Sequence, residues 1–134
     1  MKRTSKREIV FCMLYEASFF SFDTEIVIQN AQEFREIKIC EYILDTFTGT
    51  VLKKTELDKV IEKYAKGWKL SRIPRVTLAI LRLAVFEMLY NDDVPESVAI
   101  NEAVELAKQY DNDEAPAFVN GILGSISQQE QITK

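Results

Sequence analysis

The stretch that most constrains this chain is residues 75–90, RVTLAILRLAVFEMLY. Val76, Leu78, Ala79, Ile80, Leu81, Leu83, Ala84, Val85, Phe86, Met88 and Leu89 leave no polar face wide enough to meet water. A helix that is apolar nearly all round has to be covered on most sides, so the pattern predicts a central helix with the rest of the chain wrapped around it. The segment is shorter than the roughly 20 apolar residues that span a bilayer, which argues against a membrane helix. It also carries Arg82 and Glu87. An unpaired buried charge is very costly, so each requires a partner, and a structural polar network is the expected role of both.

The flanking sequence reads as further helices with short joints. Ser5 and Glu8 have capping-box spacing, and Val10, Met13, Leu14, Ala17 and Phe20 recur at helical intervals, predicting a helix from about Ser5 to Phe20. Asp23 or Thr24 can cap a second helix that buries Ile26, Val27, Asn30, Ala31 and Phe34. A third is expected from Arg35 or Glu36, with a stripe of Ile39, Tyr42, Ile43, Thr46, Phe47, Thr50 and Val51 and a weak point at Gly49. Thr55 can cap a fourth that buries Leu57, Val60, Ile61 and Tyr64 and ends with Gly67 at C′. Pro95 opens a sixth helix through Ile100, Ala103, Val104, Ala107 and Tyr110. Asp113 and Pro116 open a seventh through Phe118, Ile122 and Ile126, with Gly121 as a close-packing position and residues 128–134 fraying. The expected fold is all-α: one compact bundle of about seven helices over residues 1–134, in two subdomains, about 1–66 and 67–130.

Composition removes several function classes. The chain of 134 residues has no histidine, which excludes His-based triads and the usual imidazole metal sites. Two cysteines, Cys12 and Cys40, make neither a disulfide framework nor a Cys-rich zinc site. There is no Gly-rich phosphate loop and no nucleophile paired with a base, so no enzyme, cofactor or metal is expected. With no export signal legible, the chain reads as cytoplasmic.

The net charge of −4 hides an asymmetry. Lys2, Arg3, Lys6 and Arg7 precede the first acid, whereas from Glu87 to Glu114 the only base is Lys108. Arg3, Lys6 and Arg7 are spaced i, i+3, i+4 and share one helix face. Cations at a helix N-terminus oppose its dipole and cost stability unless an anion is bound, which is the physical argument for a phosphate ligand. On charge alone, a merely solvated basic N-terminus is the simpler reading. A nucleic-acid site also needs an aromatic face, for which Phe118 and Tyr15 are candidates whose plain alternative is core packing.

The blocks WKLSRIPRVTLAILRLAV (residues 68–85), Asp93-Val94-Pro95, VAINEAVELAKQY (98–110) and FVNGIL (118–123), in that order, resemble the NusB transcription antitermination factor family, as do Arg7-Glu8 and Leu14-Tyr15. The resemblance covers essentially the whole chain. It implies a non-catalytic helical protein that binds the single-stranded boxA segment of nascent ribosomal RNA together with ribosomal protein NusE, and through them reaches other Nus factors and RNA polymerase. It places Lys2, Arg3, Lys6, Arg7 and Phe118 at the RNA, and Tyr15 and Glu114 near the RNA and NusE surfaces. Thr77 stands where some members carry an acid facing NusE. Two alternatives follow from the same resemblance: a homodimeric interaction module, and a ribosomal-RNA-binding domain akin to the front domain of certain rRNA methyltransferases. Four phosphate-contacting cations would give a salt slope of about −3.

Overall fold

In a computed structural model describing residues 2–134, seven α-helices and no strands are found among the described residues. They are α1 (Arg3–Ala17), α2 (Thr24–Glu33), α3 (Glu41–Leu52), α4 (Lys54–Tyr64), α5 (Arg75–Tyr90), α6 (Glu96–Tyr110) and α7 (Ala115–Gln129), with a single 3-10 turn at Leu70–Arg72. The α5 bounds are those that the apolar run predicts. This helix packs against α1, α3, α4, α6 and α7. It buries every side chain from Thr77 to Val85, Arg82 included, together with Glu87 and Met88.

Both buried charges of α5 have partners. Arg82 makes a two-pronged bond to Asp58 of α4, Nε to Oδ1 at 2.7 Å and Nη2 to Oδ2 at 3.0 Å. Its guanidinium also lies 5.2 Å from the Phe22 ring, tying the α1–α2 joint to the same place. That joint turns through two left-handed residues, Ser21 and Phe22 (φ 53° and 58°).

Several local expectations are corrected. Helix α1 starts before Ser5, with Lys2 as its N-cap and no side-chain cap, so Ser5 and Glu8 do not form a capping box. Phe20, Ile26 and Phe34 are exposed, because α1 stops at Ala17 and α2 turns only Val27 and Ala31 into the core. The third helix starts at Glu41: residues 36–40 have no helical structure and Glu36 adopts φ 53°. Asp23 does cap α2, accepting from the Ile26 N–H. Helix α4 begins at Lys54, so Thr55 lies inside it, and the left-handed Gly67 (φ 80°) falls two residues beyond the C-cap Ala65. Gly121 is exposed with open space at its Cβ position.

Two close approaches shape the bundle. Helix α3 runs unbroken through Gly49, where the Phe86 ring of α5 takes the room a side chain would need. Helix α7 ends at Gln129, and residues 131–134 follow without regular structure. Lys134 Nζ donates to the carbonyls of Glu87, Asn91 and Val94 and so ties the end of the chain to the α5–α6 turn.

Candidate nucleic-acid interface

Helix α1 presents its uncapped N-terminus with Lys2 and Arg3 exposed and Lys6 half-buried. None of the three forms an ion pair among the described residues. Three unspent cations next to unsatisfied backbone N–H groups are the chemistry that an anion requires.

Arg7 departs from the expectation placed on it. It shares the face of Arg3 and Lys6 but is only 3% exposed. Its Nε and Nη2 donate to the two carboxylate oxygens of Glu87, at 2.6 and 3.1 Å, and its Nη1 donates to Glu102 at 2.8 Å. The Tyr42 hydroxyl donates to Glu87 Oε2 at 2.9 Å, and the Thr4 hydroxyl donates to Glu102. Burial alone would lower the Arg7 pKa, but the hydrogen bond and charge of Glu87, with Tyr42 and Glu102, carry it above its ordinary value. Burial first, then the Glu87 charge, pushes the Tyr42 phenol up. Arg7 is thus the internal fastener of the tip, joining α1 to α5 and α6, rather than a cation turned to solvent.

The aromatic candidates lie elsewhere. Phe118 is half-buried on the first turns of α7, its ring 5.6 Å from Trp68 at 68°. With Trp68, Arg72, Pro74, Thr77 and Glu114 it lines a small pocket of about 160 Å³. Thr77 is buried and donates to Asp111. Tyr15 is half-buried, edge-on to Phe19 at 5.1 Å, and borders a groove of about 570 Å³ with Phe11, Cys12, Val76 and Tyr110. Both sites flank the first turn of α5. Glu87, beneath the cationic tip, is ten positions further along, or about 15 Å of helix. The structure therefore brings together Lys2, Arg3 and Lys6 at one end of α5 and Tyr15, Glu114 and Phe118 at the other.

The charge asymmetry of the sequence is not carried over whole into space. Asp92 and Asp93 line a cleft of about 540 Å³ with Glu41, Asp45, Tyr42 and Arg3. Glu102 touches the tip directly. Only the end of the acidic segment, Asp111 to Glu114, lies at the far end of α5.

Sequence reasoning missed Tyr42, Glu102 and Trp68 as parts of these surfaces. Glu87 carried a signal, its need for a cation, but nothing local pointed to a residue 80 positions away.

The sequence profile of the NusB family matches residues 4–128. The chain is 48% identical over 128 residues to the transcription antitermination protein NusB of Acetivibrio thermocellus, covering 94% of this chain and 88% of that one. It is 39% identical over 131 residues to its namesake from Thermoanaerobacter pseudethanolicus, covering 97% and 93%. Among solved structures it is similar to T. maritima NusB, with a TM-score of 0.84 at 28% identity over 99% of this chain and 94% of that one. It is also similar to a chain in the crystal structure of antitermination factors NusB and NusE in complex with dsRNA, with a TM-score of 0.82 at 27% identity over 96% and 98%. A helical bundle built on an apolar α5, with a basic first turn and an extent nearly matching these relatives, belongs to the NusB family of transcription antitermination proteins.

Proposed function

We propose that this chain acts as an RNA-binding adaptor in antitermination, gripping a boxA-type segment of nascent ribosomal RNA in company with ribosomal protein NusE. The observation that carries the reading is the trio Lys2, Arg3 and Lys6, left without ion-pair partners at an uncapped helix N-terminus. The related complex with NusE and dsRNA supports it. Phe118 and Trp68 offer aromatic faces about 15 Å along α5, so a strand that leaves the tip can stack its bases there. With Thr77 in place of an acid, the surface facing NusE relies on Glu114 and the Tyr15 groove.

With Arg7 withdrawn, three phosphate contacts at about 0.7 each give a single-strand salt slope of about −2 rather than −3. A gel-shift series with a boxA-like strand, with and without the basic ribosomal partner, measures it. Replacing Lys2, Arg3 and Lys6 together by alanine should flatten the slope, and an unchanged slope excludes the tip. A duplex of the same sequence, run in parallel, decides between single- and double-stranded RNA. Self-association is the competing reading, favoured by the exposed Phe34 and Leu52. A dimer in light scattering that is indifferent to RNA would support it.

A further inference from the structure

Beside the tip stands a residue that the RNA reading does not use. The guanidinium carbon of Arg3 lies 4.7 Å from the centroid of the Tyr42 ring. A guanidinium held over an aromatic face is attracted by the ring quadrupole, and its N–H donors, which lie in its own plane, stay free for a phosphate. Those donors are unspent: Arg3 makes no side-chain hydrogen bond or ion pair among the described residues.

The ring itself is fixed. Tyr42 is half-buried on α3, and its hydroxyl is anchored to Glu87, which Arg7 holds in turn. The surroundings give the ring a second task. Glu41, Asp45, Asp92 and Asp93 line the same cleft as Arg3, so a long, untethered arginine would settle against carboxylates. On the ring it is held without an ion pair to any of them, so less rotamer entropy is lost when a phosphate arrives.

We propose that Tyr42 is a positioning residue for RNA binding, presenting Arg3 to phosphate through its ring and not its hydroxyl. The inference rests on the tip being the RNA surface. The test is fluorescence anisotropy with a labelled boxA-like strand at fixed salt. Tyr42→Leu should weaken binding about two- to tenfold, the cost of immobilising one long side chain, whereas Tyr42→Phe should bind like the parent. In an Arg3→Ala background, Tyr42→Leu should cost nothing further. Tighter binding by Tyr42→Leu, the same loss without Arg3, or an equal loss in Tyr42→Phe would each overturn the proposal.

Proton NMR of the unmutated chain gives a readout that needs no folded variant. The Arg3 δ-methylene protons should be shifted upfield by the ring in both the free and the RNA-bound protein. Random-coil values with RNA bound would refute the role. If the triple alanine variant of Lys2, Arg3 and Lys6 binds RNA unchanged, the underlying RNA reading fails instead.

Discussion

Of the four cations at the front of the chain, Arg7 is the one that the fold depends on. Its guanidinium and the Glu87 carboxylate are 4% and 0% exposed; they bond to each other, Arg7 donates further to Glu102, and Glu87 accepts further from the Tyr42 hydroxyl. Such a pair gains little net stability over well-packed apolar residues, but breaking it strands a charge. Glu87→Ala should therefore destabilise the protein by about 3–5 kcal/mol, read from urea unfolding. The paired change Arg7→Met with Glu87→Leu should recover most of that loss. If Glu87→Ala costs under about 1 kcal/mol, Arg7 is solvated and is free to contact RNA after all. At this scale the sequence was half legible. The i, i+3, i+4 spacing correctly put three cations on one face. It could not say which of them an acid on another helix would claim.

At the scale of elements, legibility follows how many constraints act on a segment. Helix α5 is readable end to end because its apolar residues leave no alternative and Pro74 marks its start. The third helix is misjudged at its front, since Ile39 continues the apolar stripe backwards although Glu36 is left-handed and residues 36–40 are not helical. Glycine roles are opaque from sequence because they depend on a neighbour. Gly121 faces open space, whereas Gly49 faces the Phe86 ring. A Cβ on Gly49 would sit 2.5 Å from Phe86 Cζ, well inside contact distance. Helix propensity alone favours Gly49→Ala by about 1 kcal/mol, and overpacking costs about 1–3 kcal/mol. The steric term should win, and thermal melting should show Gly49→Ala less stable than the parent. Adding Phe86→Leu should move the double variant back toward it. A stabilised Gly49→Ala would mean that the ring swings aside at no cost.

The whole molecule presents an electrostatic puzzle: a chain of net charge −4 is proposed to hold a polyanion. The sequence suggests a simple resolution, with basic and acidic poles far apart, each steering its own partner. The fold does not provide that, because Asp92 and Asp93 share a cleft with Arg3. Two unit charges 10 Å apart in water interact by about 0.4 kcal/mol, and a Debye length of about 8 Å at physiological salt cuts that to about a third. The acids next to the tip therefore oppose each nearby phosphate weakly in the cell and more strongly in dilute buffer. They act as a brake through the sequence-independent charge term, which makes up almost all of non-specific binding, while the proposed stacking on Phe118 would add affinity that they do not oppose. Asp92→Asn with Asp93→Asn should tighten RNA binding about twofold at 0.15 M salt and several-fold at 0.01 M, by the same factor for an unrelated strand as for a boxA-like one. Anisotropy titrations of both strands at the two salt concentrations check this: a gain confined to one RNA would show that the acids act on more than phosphate charge, and no gain at low salt would place the RNA away from the tip.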